Sequence, residues 1–198
     1  MASSAWLRPV TLSGRRVRLE PLARRHLDGL VEVGLAPAIW RWMPINVATG
    51  ADMAALVEAA LAAAAAGREM PFATVELASG RIVGSTRYLN IEPGHRRLEI
   101  GWTWLAPAWQ RTGVNAEAKL LMLGHAFDEL GALRVEFKTD ARNERSRRAL
   151  AAIGAVEEGT LRGHMLTPAG RRDSVYFSVL AEEWPAVRAG LEARFTSS

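Results

Sequence analysis

Two spacings of apolar residues run along this chain, one of two residues and one near three and a half, and their order predicts the elements. Over residues 15–22, Val17 and Leu19 alternate with Arg16, Arg18 and Glu20, which predicts a half-buried strand closed by Pro21. Residues 26–33 put Leu27, Leu30 and Val31 on one side of a short helix, and residues 38–44, dense in large side chains, read as a loop. Residues 52–66 are rich in Ala and Leu, strong helix formers, and stop at Gly67. Strands over 72–77 and 82–90 flank the hairpin turn Ala78-Ser79-Gly80-Arg81, and a second turn over 92–95 leads into a strand over 98–105. Simple alternation there sets Leu98, Ile100, Trp102 and Trp104 on one face and Glu99, Gly101, Thr103 and Leu105 on the other.

Ala116, Leu120, Leu123, Phe127 and Leu130 then recur at steps of four and three along a helix from Asn115 to Gly131. Leu133, Val135, Phe137 and Thr139 alternate with Arg134, Glu136, Lys138 and Asp140 in a further strand. A helix over 143–153, strands over 155–165 and 174–180 around a turn with Pro168 and Gly170, and a helix over 182–195 complete the chain. The last helix carries Pro185 in its first turn, where Pro is tolerated. The strand–helix–strand spacing implies a right-handed parallel crossover and the hairpins imply antiparallel pairs. The expected fold is therefore α+β, with one mixed, twisted sheet of about seven strands flanked by helices.

The 198 residues suit a single domain over 1–198, with 49% hydrophobic and 23% charged residues. Without Cys there is no disulfide, thiol nucleophile or thiolate metal site. The start, Met1 to Leu7, lacks the apolar core of a leader, and no apolar run nears the roughly 18 residues of a membrane span. The expectation is a cytoplasmic protein with no membrane partner. The net charge of +4 raises the question of nucleic acid. Its Arg residues are scattered in short pairs, however, and Lys occurs only at Lys119 and Lys138, so no nucleic-acid partner is expected; a polyanionic small molecule fits the same charge.

The most informative stretch joins the strand over 98–105 to the helix at Asn115 through the polar turn Gln110-Arg111-Thr112-Gly113. A strand, a short turn and a helix N-terminus collect unpaired backbone N–H groups and the positive end of the helix dipole, an arrangement suited to a pyrophosphate.

That turn resembles the coenzyme A loop of the GNAT N-acetyltransferase superfamily, Arg/Gln-x-x-Gly-x-Gly/Ala, with Asn115 standing at the second Gly and Ala116 just behind it. Asn143 to Ser146 followed by Ile153-Gly154-Ala155 is similar to the family's Asn-x-x-Ser helix, with Ala155 in place of Phe. Glu158-Gly159-Thr160-Leu161-Arg162 resembles a strand of the Rim-type branch, the ribosomal-protein N-terminal acetyltransferases. The resemblance implies a splayed central parallel strand pair and transfer of acetyl from acetyl-CoA to a primary amine, without a metal. The acceptor would be a protein N-terminus or a small amine such as an amino acid, antibiotic or toxin, and a homodimer is possible.

By the same resemblance, Trp104 and Leu105 would offer main-chain groups to the pantetheine. Gln110, Arg111, Thr112, Gly113, Asn115 and Ala116 would hold the pyrophosphate, and Asn143 would bond the pantetheine arm. Glu99 is the first candidate for the general base and His164 the second, while a surface ion pair with Arg97 or with an Arg of another strand is the alternative for Glu99. Many relatives place a Tyr acid where this chain has Leu150, so Ser146 takes that candidacy here. Trp40, Trp42 and Trp102 are candidates for the acceptor wall, with core packing as the alternative for the first two. Leu150 and Asn115 also keep open a non-catalytic CoA-binding regulatory or interaction module.

Overall fold

A sheet runs through the middle of the molecule with helices on both of its faces. The computed structural model describes residues 5–196, so Met1 to Ser4 of the segment read above for a leader lie outside the described residues. In chain order the strands are β1 (Leu12–Ser13), β2 (Val17–Pro21), β3 (Met70–Glu76), β4 (Ile82–Glu92), β5 (Arg97–Leu105), β6 (Arg134–Asp140), β7 (Val156–Thr167) and β8 (Gly170–Leu180). The helices are α1 (Leu27–Gly34), α2 (Pro37–Trp40), α3 (Gly50–Ala65), α4 (Val114–Gly124), α5 (Glu144–Ala152) and α6 (Trp184–Thr196). Sheet order is β1-β2-β3-β4-β5-β6-β8-β7, eight strands among the described residues against the seven or so expected, the addition being the two-residue β1.

Every neighbouring pair is antiparallel except β5 with β6. That parallel pairing covers only Arg97↔Arg134, Leu98↔Val135 and Glu99↔Glu136. Beyond it, β5 continues to Leu105 against β4, and β6 continues to Asp140 against β8, so the two diverge from a point just past Glu99. The expected splayed pair is present.

Two clusters of apolar side chains form the core, one on each face. One joins the sheet to α4, α5 and α6 through Val135, Phe137, Met122, Leu150 and Leu191. The other joins it to α1, α2 and α3 through Leu30, Trp40, Met53, Val57 and Trp104. Thr49 caps α3 by accepting from the Asp52 N–H, and the Asp52 carboxylate accepts from the Thr49 N–H in return. The segment over 38–44, read as a loop, holds the short helix α2 opened by Pro37.

Alternation along β5 does not hold through its length. Gly101 pairs with Arg87 and Trp104 with Ser85, which leaves Trp102 and Thr103 opposite the one residue Thr86: a bulge, with Trp102 at φ 51°. Trp102 and Trp104 are thereby carried to the face of Glu99, opposite Leu98 and Ile100, which correct the single apolar face expected from sequence. The inward stripe of α4 is also rotated from the expected one. Val114, Ala118 and Met122 are buried together with Glu117 and Lys119, whereas Ala116, Leu120 and Leu130 are only partly covered. The apolar pattern misleads here because two charged side chains occupy interior positions with polar partners of their own.

Candidate active site

The separation of β5 from β6 opens a cavity of about 760 Å³ that passes through the sheet. On the face of α4, α5 and α6 it is lined by the turn at Gln110 to Gly113, the first turns of α4 and α5, and Arg16, Arg145 and Arg194. On the opposite face it is lined by Ile39, Trp42, Met43, Pro44, Trp102, Trp104, Lys138, Met165 and Arg172. Glu99, Gly101 and Thr103 line it at the edge of β5 between the two.

The first end is built mainly from backbone. Arg111 and Gly113 both adopt left-handed conformations, at φ 63° and 87°, and these turn the chain from the strand into α4. A Cβ on Gly113 would meet nothing nearer than 3.7 Å, so conformation, rather than crowding by protein, favours Gly there. Among the described residues no side chain caps α4, which leaves N–H groups of its first turn for a ligand, although the Glu117 N–H bonds the Gly113 carbonyl at 3.0 Å. The buried Glu117 carboxylate accepts from the N–H groups of Arg15, Arg16 and Val17 at 2.9, 2.7 and 2.8 Å. These bonds fix the start of α4 against β2 and bring Arg16 to the cavity.

Gln110 spans this end: its Nε2 donates to the Leu105 carbonyl at 2.9 Å and its Oε1 accepts from Arg145 at 2.6 Å. The turn is thus tied both to the end of β5 and to α5. The Thr112 hydroxyl donates to the Trp109 carbonyl at 2.7 Å, which stiffens the same turn. Asn143 is the N-cap of α5, its Oδ1 accepting from the Ser146 N–H at 3.2 Å. Asn115, Ala116, Asn143 and Ser146 all line the cavity. Gathered here are two helix N-termini and Arg16, Arg111, Arg145 and Arg194, a positive basin that fits a pyrophosphate.

Glu99 lies at the point of divergence and is 2% exposed. Its Oε2 accepts from Asn90 Nδ2 at 2.7 Å and stands 3.6 Å from Lys138 Nζ. Burial pushes this carboxyl above the usual range; Lys138 and the Asn90 hydrogen bond oppose that rise and Glu136 adds to it. The ion pair with Arg97 considered from sequence belongs to Glu136 instead, at 3.4 Å.

Of the tryptophans read as an acceptor wall, two line the cavity. Trp42 is half-buried, with Arg41 and Arg142 stacked on its ring at 4.8 and 5.1 Å. Trp102 lies under Arg87 at 4.6 Å, and Arg87 is held by Glu69 at 2.7 Å. Trp40 is core: it is 3% exposed, its Nε1 donates to the Gly34 carbonyl at 2.7 Å, and its ring packs 5.4 Å from that of Trp104. His164 is exposed on β7, edge-on to Tyr176 at 5.8 Å, and does not line the cavity.

Arg16, Lys138, Arg145 and Arg194 line the cavity without having been read as site residues, and so do two buried cations. Lys119 is 4% exposed, donates to the Thr103 hydroxyl at 2.8 Å, and is brought by burial to a pKa of about 7. Arg172, on β8, is 5% exposed and donates to the Trp42 carbonyl at 3.4 Å. A charged residue at an interior position of an apolar stripe was the available signal for Lys119. Arg172 sits 62 positions after the turn at Gln110 in an exposed-looking strand, and local pattern carries no signal for it.

The model of the acetyltransferase (GNAT) domain family matches residues 16–156. A Bacillus subtilis (strain 168) protein, YdaF, named provisionally as a ribosomal N-acetyltransferase, is 32% identical over 108 residues. That match spans 54% of this chain and 58% of YdaF, little more than half of either. Among solved structures, a provisionally named acetyltransferase from T. thermophilus is 41% identical with a TM-score of 0.86, covering 94% of this chain and 97% of that one. Mycobacterium smegmatis RimJ, solved in complex with CoA-disulfide, is 25% identical with a TM-score of 0.83, covering 95% and 96%. The divergent parallel pair, the helix behind the Gln110 turn and these matches agree, and the chain belongs to the GNAT acetyltransferase family.

Proposed function

We propose that the protein transfers the acetyl group of acetyl-CoA to a primary amine by direct attack of the amine on the thioester. The observation that carries this reading is the passage through the sheet at Glu99, basic and rich in N–H donors at one end, aromatic at the other. Acetyl-CoA, when bound, supplies an activated acyl group and a thiolate as leaving group. The turn at Gln110 to Gly113 and the first turn of α4 hold its pyrophosphate, with Arg16, Arg111, Arg145 and Arg194 offering countercharge. The β5 edge beyond Glu99, which has no strand neighbour on that side among the described residues, offers main-chain groups to the arm.

The amine enters from the side of Trp42 and Trp102. An α-amine has a pKa of about 7.7–8.0, so removing its proton at neutral pH costs on the order of 1 kcal/mol, and a modest base suffices. Glu99 is that base: burial raises its proton affinity toward that of the amine, and Lys138 and Asn90 keep it oriented. Ser146, on the opposite wall, donates to the departing thiolate. His164 takes no part, being exposed outside the cavity. A protein N-terminus or a small amine can serve as acceptor.

The experiment is thiol release from acetyl-CoA with a panel of amines and N-terminal peptides, with mass detection of a product heavier by one acetyl group. Turnover with at least one acceptor is expected. Tight acetyl-CoA binding with no thiol release for any acceptor would instead make the protein a CoA-binding module.

A further inference from the structure

The acceptor end of the cavity holds a guanidinium without an adequate partner. Arg172 is buried, yet its Nε has no hydrogen-bond partner among the described residues, and Nη1 reaches only the Trp42 carbonyl, at 3.4 Å. The nearest carboxylate, Asp140, is committed elsewhere. It accepts from the Arg142 N–H at 2.9 Å, from Arg142 Nε at 3.0 Å and from Arg142 Nη2 at 2.8 Å. Arg172 Nε is left 4.0 Å from Asp140 Oδ2, outside hydrogen-bond range. Two residues on, the Ser174 hydroxyl is buried and unpaired as well.

A buried arginine with unused donors is costly unless a ligand supplies the acceptor. Around it the cavity presents one carboxylate, Glu99, against two cations, Lys138 and Arg172, and Lys138 already leans on Glu99. Glu99 is near enough for its charge to act on Arg172. An amine drawn to Glu99 would therefore share the cavity with a buried guanidinium whose Nε donor is unused, a planar cation of the kind that suits a carboxylate.

Resting on the acyl-transfer reading above, we propose that Arg172 is the anion subsite of the acceptor pocket, and that the natural acceptor is a primary amine carrying a carboxylate close to it. The carboxylate can come from a free amino acid, or from an acidic side chain at the start of a peptide. Arg172 touches that carboxylate and sets specificity; Glu99 handles the proton of the amine.

The test uses matched pairs with the intact protein. Free amino acids are compared with their carboxamides, and peptides beginning with Asp or Glu with those beginning with Asn or Gln, by thiol release. In at least one arm, kcat/KM is expected to favour the acid by about ten- to a hundredfold, the worth of one charge-assisted pair, and the arm that shows it identifies the source. Arg172→Gln should abolish that preference while acetyl-CoA affinity, measured by calorimetry, stays unchanged; Arg172→Lys should restore part of it. Equal rates for acid and amide in both arms of the wild type would overturn the proposal, whatever the variants do. So would a preference that survives in Arg172→Gln. If no acceptor releases thiol, the acyl-transfer reading is at fault, and calorimetry of the same pairs then decides the subsite: tighter binding of acids lost in Arg172→Gln upholds it, and equal binding ends it.

Discussion

The two ends of the cavity are made in different ways. At the end near α4 the working parts are main-chain groups set by one contiguous turn, with left-handed Arg111 and Gly113, an uncapped helix and the brace of Gln110. At the other end they are side chains delivered by distant segments: Glu99 and Trp102 from β5, Lys138 from β6, Arg172 from β8 and Trp42 from the segment after α2. Backbone held by local conformation suits an invariant ligand part such as a pyrophosphate. Side chains from separate segments can change one at a time, so the acceptor can change while the donor stays.

The contrast is sharpest when each end is broken separately. Gly113→Glu forces a side chain into a left-handed conformation and adds a carboxylate to the anion basin, so acetyl-CoA affinity should fall by about a hundredfold or more with the fold retained. Calorimetry with circular dichroism checks both parts. Glu99→Gln should lower kcat by about a hundred- to ten-thousandfold, with acetyl-CoA affinity unchanged, in steady-state kinetics. A variant of full activity would remove Glu99 as the base.

These two residues also mark what the sequence made legible. The turn, its glycine and the helix start were readable because they are neighbours in the chain, and Glu99 was singled out by its place on the central strand together with the family resemblance. The succession of strands and helices and the mixed sheet followed from periodicity and spacing, and the divergent pair from the family resemblance. What the sequence hid depends on non-local packing. The bulge at Trp102 moved two tryptophans to the other face, Glu117 and Lys119 took interior positions that an apolar count excludes, and Arg172 reached the cavity from the last hairpin. Trp40 and Trp42 look alike in sequence, but α2 turns one into the core and leaves the other at the cavity.

That last difference is itself measurable. Trp40→Ala should cost about 3–5 kcal/mol in urea unfolding, as for other buried aromatics. Trp42→Ala should cost about 1 kcal/mol or less and act mainly through the KM for the acceptor.

Lys119 gives a pH signature. With its folded pKa near 7 and an unfolded value of 10.5, the unfolded chain binds the extra proton between those limits, so stability rises with pH across that window. The burden of the buried charge is fully present below about pH 7 and is gone above the unfolded pKa. Lys119→Met should therefore be more stable than wild type by the largest margin near pH 6. That margin should shrink by on the order of a few kcal/mol toward pH 10, in urea midpoints taken across the range. A constant margin would show that Lys119 is charged in the native state throughout. Smallest of all, His164→Gln should change stability by less than about 0.5 kcal/mol and leave turnover as it is.

In the acyl-transfer reading, the divergence of β5 from β6 receives the acyl donor, with its pyrophosphate at the start of α4. A crystal structure of the protein with acetyl-CoA tests it most directly. Phosphate density is expected against the N–H groups of residues 113–116, with the arm running along β5 toward Glu99. Cofactor bound elsewhere, or a passage filled by protein side chains in the complex, would contradict it.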